Sequence, residues 1–351
     1  MKNARESNIE LLRIITICGV VVLHYNGNFA LQLVNAGTAN YGLLLLLEAL
    51  FICGVDLFVL ISGYFLCTTN RRKAVKVLEL VVQVILFGMA KYLVGVVLGG
   101  NPFSVSGLLG AALPNNYYVT LYLAVYLISP YINIVLNRLS DKQFSVLVAL
   151  WGILFAVLPT LLDMVYAVTG VNLHGMYPIG SGGSQYGYNF LNFLFMYLIG
   201  AYLRRAKAGK PLIDLMGMAI CLTGVLVWQN FYPSIARAYC NPFVIGMAVF
   251  VFRLFTRLHF SCKAVNALAK GAFTCFLLHD FFLPHIGIDR VVNRSLPVLM
   301  GHIILCVPLI FLLCWVAWRV YAWVTDPVFH LAEKPLSKLD GLLSPVTENK
   351  E

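Results

Sequence analysis

Two ionisable residues in the first apolar segment could do chemistry inside a membrane. Arg13 and His24 are eleven residues apart, which on an α-helix places them about three turns apart and within roughly 20° of the same face. A guanidinium binds anions, and an imidazole has an ordinary pKa suited to proton transfer near neutral pH. The pattern predicts an anion-binding Arg13 and a general base at His24. The simpler alternatives are a snorkelling arginine paired with Glu10 and a histidine with only structural hydrogen bonds.

The second apolar segment carries two carboxylates, Glu48 and Asp56. An acidic side chain at the centre of a membrane-spanning helix costs about 3 kcal/mol on insertion scales, so each of them is a functional candidate. A carboxylate that accepts a hydrogen bond from a catalytic imidazole fixes its tautomer and orientation. Either residue could serve His24 in this way, and the sequence does not distinguish them.

Polar and basic residues follow at the end of this segment. Ser62, Gly63 and Tyr64 form a small-residue turn where the backbone can approach a neighbour or a ligand closely. The cations beyond it either set the orientation of the span or, with Arg13, clamp a polyphosphate. Both interpretations stay open for this basic cluster, which consists of Arg71, Arg72, Lys73 and Lys76.

The composition identifies the elements that position these residues. Of 351 residues, 60% are hydrophobic and 11% are charged, too few charges to cover the surface of a soluble protein. The net charge of +10 comes from short clusters between apolar runs, which argues against a nucleic-acid partner. We expect an all-α integral membrane protein with about ten spans of roughly 20 residues each. The predicted spans are 9–29, 43–67, 75–98, 118–136, 144–166, 188–203, 212–230, 242–256, 272–286 and 297–324.

The distribution of Lys and Arg predicts the orientation of the chain. Every second loop is basic, whereas the opposite loops carry only Arg237, Arg290 and Arg294. Because basic loops stay in the cytoplasm, both termini are expected there. Residues 1–330 would form the transmembrane domain of a multi-pass cell-membrane protein, and 331–351 a short cytoplasmic tail. The basic side also includes the terminal residues Lys2, Arg5 and Lys350.

The outer loops have a different character. Residues 99–117 and 167–187 are rich in Gly, Ser, Asn and Tyr and contain no Asp, Glu, Lys or Arg. Such loops could line a sugar site, because hydroxyls pair with hydroxyls and tyrosine rings stack on sugar faces, or they could be solvated connectors. His279 and His285 are six residues apart, a poor spacing for ligands on one helix face, so no metal is expected.

Five segments together resemble the membrane-bound acyltransferase family 3, over nearly the whole chain. The first segment matches the family's Arg-x10-His pattern through Arg13 and His24. The second is similar to its Asp-containing span that ends in Ser-Gly-Tyr/Phe. The remaining three resemble its Trp-Tyr-Leu, Ser-Pro-Phe and Tyr-Leu-Ile-His segments. In this sequence the five read NIELLR…HY (8–25), GVDLFVLISGYFL (54–66), PNNYYVTLYLAVYLISPYIN (114–133), CNPFVIGMAVFVF (240–252) and FTCFLLHDFFL (273–283).

The resemblance implies an enzyme that moves an acyl group, usually acetyl from acetyl-CoA, onto a surface glycan or a lipid-linked sugar in a bacterial cytoplasmic membrane. Arg13 and the basic cluster would hold the donor's phosphates, with Ser62 and Tyr64 beside the donor. Tyr117, which stands where the family has Trp, would contact the acceptor together with Tyr118 and His279. Direct transfer and a transient acyl-histidine both fit this pattern, and the donor could be succinyl-CoA instead. The sequence does not indicate an oligomeric state.

A transporter or flippase for a glycolipid is the rival hypothesis, because charged groups inside the membrane suit it equally well. It predicts translocation without consumption of acyl-CoA. It also favours discontinuous helices and paired repeats, which the sequence does not show.

Overall fold

The computed structural model describes residues 7–100 and 102–344, and this part of the chain folds into helices without any β-strand. Lys2, Arg5 and Lys350, which contribute to the orientation argument, lie outside the described residues. The longer helices are α1 (Asn8–Tyr25), α2 (Ala39–Phe51), α3 (Gly54–Leu66), α4 (Ala74–Val97), α5 (Val105–Ala111), α6 (Tyr117–Arg138), α7 (Asp141–Gly152), α8 (Leu158–Thr169), α9 (Phe190–Arg205), α10 (Pro211–Trp228), α11 (Pro242–Phe255), α12 (Lys263–Leu268), α13 (Ala272–Phe282) and α14 (Leu296–Asp340).

Short helical segments connect or extend these helices. Two of them have π-helical geometry, in which one extra residue widens the turn, and the rest are single turns. The π-helical segments are Asn26–Ala30 and Ile153–Val157, and the single turns are Leu31–Leu33, His174–Met176, Gln185–Gly187, Pro233–Ala236, Ala269–Gly271, Leu283–His285 and Ile288–Val291.

The all-α membrane architecture is confirmed. Seven helical stretches of the described chain are long and apolar enough to cross a membrane. The sixth, eighth and ninth predicted spans coincide with the shorter helices α9, α11 and α13. The count of ten and the cytoplasmic position of the termini stay predictions. The seven stretches are Asn8–Leu33, Ala39–Leu66, Ala74–Val97, Tyr117–Arg138, Asp141–Thr169, Pro211–Trp228 and Leu296–Asp340.

Two features differ from the predicted elements. The second span is interrupted between Phe51 and Gly54, so α2 and α3 are separate helices. At the other end of the chain, α14 continues through residues 331–340, where the sequence predicts a tail. This extension is attached to the start of α4, because Asp340 accepts a hydrogen bond of 2.8 Å from the backbone N–H of Ala74.

Helix α1 lies in the centre of the bundle. It packs against α2, α3, α13 and α14, and Ile17, Val21 and Tyr25 on it are completely buried. A central helix is the position from which Arg13 and His24 can both face protein groups instead of lipid. We use "inner end" for the end of the bundle that contains Asn8 and the ends of α3 and α9. The "outer end" is the opposite one, which contains Tyr25.

Helices α3 and α9 approach each other so closely that only glycine fits at the contact. A Cβ atom on Gly200 would overlap the carbonyl oxygen of Leu60 and the backbone nitrogen of Tyr64. A Cβ atom on Gly63 would overlap the backbone of Tyr197. Small residues let helix backbones pack in this way inside membranes. The contact fixes α3, which carries Asp56, against α9.

Gly200→Val is therefore expected to disrupt this contact, because a branched side chain cannot avoid backbone atoms by changing its rotamer. We expect the amount of folded protein in the membrane to fall at least several-fold, measured by size-exclusion chromatography of a fluorescent fusion. The matched control is Gly301→Val in α14, where an added Cβ atom meets nothing within 4 Å. Equal amounts of the two variants would contradict this interpretation.

Candidate active site

Two histidine rings meet near the outer end of the bundle. His24 of α1 and His279 of α13 lie with their ring centroids 4.7 Å apart and their planes at 87°. His279 is only 2% exposed, whereas His24 is half-buried. The sequence predicts His279 as an acceptor-binding residue and does not place it beside His24. The structure thus pairs the candidate general base with a second imidazole.

The hydrogen bonds of the two rings are different. The Nδ1 atom of His279 lies 2.8 Å from the carbonyl oxygen of Cys275, one turn earlier in α13. Its Nε2 atom is buried and has no hydrogen-bond partner among the described residues. The Nδ1 atom of His24 lies 3.4 Å from the side-chain nitrogen of Asn28.

A π-helical segment begins directly after this part of α1. The widened turns of Asn26–Ala30 bring Asn28 back to His24, and π-helical insertions are frequent at functional sites. Asn26 is completely buried and donates to the carbonyl oxygen of Leu44 at 3.0 Å and to Glu48 at 3.2 Å. These bonds fix the segment against α2.

The contacts of Glu48 correct one prediction. Its carboxylate accepts from Asn26 and pairs with Arg237 at 3.3 Å. Both oxygens therefore contact groups other than His24. Glu48 compensates a cation near the outer end and fixes the segment that follows the histidine, so it does not orient the imidazole directly.

Asp56 likewise makes no hydrogen bond to His24 in the described part of the chain. It lies in the first turn of α3, is 1% exposed, and accepts a hydrogen bond of 3.2 Å from the amide of Asn192 on α9. Its second oxygen has no partner among the described residues. The expected carboxylate–imidazole pair is not formed, because the side chain points to α9.

A cavity of about 360 Å³ extends along α1 from the inner end toward the histidine pair. Three cations line it, namely Arg13, Lys76 and Lys270, whereas Val20 and Phe276 line it deeper in the bundle. Val20 precedes His24 by one helical turn, and the ring of Phe276 lies 6.5 Å from that of His279. The cavity thus extends from three cations and the carboxylate of Glu79 toward the histidine pair, and neither histidine is part of its lining.

A second cavity of about 410 Å³ opens at the inner end and shares Arg13 with the first. Arg13 pairs with Glu10 at 2.9 Å, and Arg204 lies 4.8 Å above the ring of Tyr64 in the same lining. A neighbouring cavity of about 210 Å³ contains Arg204 together with Lys207, Arg253 and Arg257. Arg253 and Arg257 pair with the buried carboxylate of Asp214, whereas Arg204 borders the same cavity as Arg13 and is not assigned to a donor site by the sequence.

Only one residue of the basic cluster lines these cavities. Lys76 does so, while it also pairs with Glu79 at 2.6 Å. Arg71 is exposed at the surface. Lys73 is exposed too, and its hydrogen bond with Glu333 at 2.7 Å raises the pKa of the lysine.

The structure corrects the predicted role of Arg72. The residue is a buried structural residue and not a phosphate ligand. It is 1% exposed, and its Nε and Nη2 atoms donate to Ser129 at 3.0 and 2.7 Å. Its Nη1 atom donates to the carbonyl oxygens of Thr69 and Arg71 at 2.8 and 2.9 Å, and Nη2 also reaches Leu66 at 3.1 Å. All three guanidinium nitrogens are thus bonded to protein acceptors, and a phosphate would have to displace them.

Arg72→Lys is expected to lower the amount of folded protein and to leave donor binding unchanged. A lysine cannot reproduce a planar fork with five donors, so several buried carbonyl groups lose their partners. The KM for acetyl-CoA, the donor expected from the sequence, should stay within about twofold of wild type when it is measured on the protein that remains folded. A twofold change in KM corresponds to less than about 0.5 kcal/mol of binding free energy. Such a small effect is expected for a residue outside the donor site. A KM raised tenfold at normal protein level would return Arg72 to the donor site.

Ser62 and Tyr64, which the sequence predicts to lie beside the donor, line two different cavities. Ser62 lines the 360 Å³ cavity and donates to the carbonyl oxygen of Phe58 at 2.9 Å. Tyr64 lines the cavity at the inner end. Tyr118, predicted to contact the acceptor, lines the 360 Å³ cavity as well, and its ring lies 5.0 Å from that of Phe276. Tyr118 therefore lies on the inner-end side of the histidine pair, and not with Tyr117 at the outer end.

Tyr117 belongs to a group of tyrosines at the outer end. Its ring is 42% exposed and lies 5.2 Å from that of Tyr188, which lies 4.8 Å from that of Tyr239. Burial raises the pKa of Tyr239 well above its usual value, so this phenol stays neutral. Nearby, Gln185 and Tyr186 have φ values of 51° and 50°, an uncommon left-handed conformation for residues other than glycine.

Several residues of the site were not singled out by sequence reasoning. In the sequence, Lys270 and Arg204 serve only as evidence for the membrane orientation, because a cation near the end of a span is explained by the positive charge of cytoplasmic loops. Phe276 is a usable signal, since it lies three residues before His279 and hence on the same helix face. Among the described residues, no three His, Cys, Asp or Glu side chains lie close enough to hold a metal ion.

Comparison with known proteins gives one result. The model of a family described as an acyltransferase domain matches residues 6–319. The match includes every residue that lines the cavities or contacts the histidine pair. No curated protein and no solved structure matches significantly.

Proposed function

This chain belongs to acyltransferase family 3, and we propose that it moves an acetyl group from cytoplasmic acetyl-CoA to a hydroxyl of a cell-surface polysaccharide or a lipid-linked sugar. Membrane acyl transfer is the activity of the family. The acetyl donor, the sugar acceptor and the bacterial cytoplasmic membrane are the specific parts of the proposal.

One observation carries the proposal, namely the cavity that leads from the cations of the inner end to the histidine pair. Acetyl-CoA is strongly anionic at its nucleotide end and has a slim, neutral arm that ends in the thioester. The 360 Å³ cavity has the matching polarity. Its lining holds the three cations Arg13, Lys76 and Lys270 against the carboxylate of Glu79, and apolar side chains such as Phe276 lie beyond them. A donor that binds in this way would bring its acyl group toward His24 and His279.

The cations of the inner end would hold the phosphates of the donor. Arg13 lines both large cavities, and an arginine fork binds phosphate oxygens through paired hydrogen bonds. Arg204 would supply a second such fork from α9. Arg13 and Arg204 line a cavity, so we assign the phosphate-binding role to them and not to the buried Arg72.

The histidine pair supplies the acid–base chemistry of acyl transfer. An acceptor hydroxyl must lose a proton as it attacks the thioester carbonyl, and a positioned imidazole contributes about 10²- to 10⁴-fold to such a step. His24 is the ring that the sequence singles out for this role. Its alternative use as a transient acyl carrier needs the same position next to the thioester.

The acceptor would enter from the outer end. Tyr117 and Tyr188 expose part of their rings there, and aromatic rings beside neutral hydroxyl groups suit the faces and edges of a sugar. The outer loops 99–117 and 167–187 contribute no ionised side chain from the four charged residue types. This favours a neutral, polyhydroxylated acceptor over an anionic one.

The proposal is tested with purified protein in lipid vesicles that contain the acceptor glycolipids of the host membrane. Acetyl-CoA labelled in the acetyl group is added on the side of the inner end. We expect label on the glycan and one free CoA thiol per acetyl group transferred. Label from succinyl-CoA instead would change the acyl group. Movement of glycolipid across the bilayer without thiol release would establish the transporter and overturn the enzymatic proposal.

A further inference from the structure

The hydrogen bond of His279 fixes the tautomer of its ring and leaves Nε2 as an acceptor without a hydrogen-bond partner among the described residues. A carbonyl oxygen can only accept, so the 2.8 Å contact between Nδ1 of His279 and the oxygen of Cys275 requires the hydrogen on Nδ1. In the neutral ring Nε2 then carries a lone pair. This atom is buried and has no partner among the described residues. A buried polar atom without a partner is costly, so its position needs an explanation.

The hydrogen bond of His24 fixes the opposite tautomer. The side-chain nitrogen of Asn28 is a donor, so Nδ1 of His24 is the acceptor of their 3.4 Å contact. The hydrogen of the neutral ring is then on Nε2. The two neighbouring imidazoles therefore differ, because His279 offers a lone pair from Nε2 and His24 offers an N–H group from Nε2.

We propose that His279 is the general base of the transfer and that His24 is the hydrogen-bond donor that stabilises the oxyanion. This assignment rests on the proposed acyltransferase function and changes the residue that accepts the proton. The geometry supports it through the pairing of the rings at 4.7 Å. A hydroxyl and the carbonyl that it attacks need an acceptor and a donor within a few ångströms of each other.

The step balances without any further reactant. The lone pair on Nε2 of His279 takes the proton of the acceptor hydroxyl while the hydroxyl oxygen bonds to the thioester carbon. The negative charge that develops on the carbonyl oxygen is stabilised by the N–H of His24. When the tetrahedral intermediate collapses, the C–S bond breaks, and the thiolate of CoA takes the proton from the His279 imidazolium. The products are the sugar ester and free CoA.

The surroundings of His279 place this residue next to the donor cavity. Phe276, on the same face of α13 and one turn toward the inner end, lines the donor cavity. On the other side of His279 in the chain, Asp280 pairs with Lys91 of α4 at 3.0 Å. His279 therefore lies one helical turn beyond the lining of the donor cavity, and this charged pair is next to it in the chain.

The test uses amides that replace one ring nitrogen at a time. An asparagine nitrogen takes the place of Nδ1, so His279→Asn keeps the hydrogen bond to Cys275 and removes only the Nε2 lone pair. A glutamine nitrogen takes the place of Nε2, so His24→Gln keeps the N–H donor and removes any basic nitrogen. His330→Asn, at an exposed residue in the C-terminal part of α14, is the matched control.

Acetyl transfer and acetyl-CoA binding are measured in vesicles for these three variants and for His24→Ala. We expect His279→Asn to lose about 10²- to 10⁴-fold in kcat with unchanged donor affinity. His24→Gln should stay within about tenfold of wild type and well above His24→Ala, because removal of an oxyanion donor costs about 10²- to 10³-fold. If His279→Asn does not accumulate, His279→Gln is measured in its place, with the same expected loss.

The opposite pattern would overturn the assignment. If His24 is the base, His24→Gln will be as inactive as His24→Ala, and His279→Asn will keep most of its activity. Failure of the proposed function gives a different result, since wild type would then release no CoA in the same assay.

Discussion

His24→Ala is expected to reduce acetyl transfer to below about 1% of the wild-type rate while leaving acetyl-CoA bound with its normal affinity. The ring lies one helical turn beyond Val20, which lines the cavity along α1, and contacts His279. Either role of this imidazole, as base or as oxyanion donor, requires the ring itself. The measurement is the initial rate of label transfer in vesicles, together with equilibrium binding of labelled acetyl-CoA.

The control for this prediction is His330→Ala, which removes an exposed imidazole far along α14. It should leave both quantities at wild-type values. Transfer by His24→Ala at the full rate, with normal protein level, would exclude the histidine from the reaction. A parallel loss of donor binding would instead indicate that the ring shapes the cavity.

Arg13→Gln is expected to raise the KM for acetyl-CoA about 10- to 100-fold, with a smaller effect on kcat. A hydrogen bond between charged groups contributes about 1.5–3 kcal/mol, and each 1.4 kcal/mol changes affinity tenfold. Arg13 lines both cavities of the inner end. Its removal also leaves the carboxylate of Glu10, which it contacts at 2.9 Å, facing an anionic donor.

The same pair supplies a matched control. Glu10→Gln removes a negative charge from the lining and should lower the KM for acetyl-CoA. The double variant should lie between wild type and Arg13→Gln, because it removes both charges. Steady-state kinetics at several salt concentrations also test the charge effect, since screening should reduce the difference between wild type and Arg13→Gln. A KM for Arg13→Gln within twofold of wild type would show that the guanidinium does not bind the donor.

The sequence predicts well what depends on the geometry of a single helix. Arg13 and His24 belong to α1, so a regular helical period is enough to place the arginine at one end of a cavity and the histidine beyond the other. The apolar runs likewise predict the all-α membrane architecture, since a chain in lipid must satisfy its backbone within helices. The three shortest apolar runs form the short helices α9, α11 and α13. The length of these helices alone does not show that they cross the membrane.

Contacts between distant segments could not be predicted from the same information. His24 and His279 are separated by most of the chain, and only the packing of α13 on α1 brings them together. Glu48 and Asp56 both have the residue type of a histidine partner, yet they contact Asn26 and Asn192. Which group a buried carboxylate contacts depends on the donors that the fold places next to it, and the sequence does not give their positions.

Arg72 shows the same limit for the basic cluster. Four adjacent cations look equivalent in the sequence, but the loop after α3 buries Arg72 among carbonyl groups and leaves Arg71 at the surface. The charges that border the cavities come mostly from other helices, including Arg204 of α9. No linear spacing relates them to Arg13.

In the proposed reaction, the acyl donor enters from the inner end and presents its acyl group to the histidine pair. The most direct measurement is an electron cryo-microscopy structure with acetonyl-CoA, in which a stable ketone replaces the reactive thioester. We predict density for the nucleotide at Arg13, Lys76 and Lys270 and for the ketone roughly 3–4 Å from the ring nitrogens of His24 and His279. Density for the arm in another cavity, or a ketone beyond hydrogen-bond reach of both rings, would contradict it.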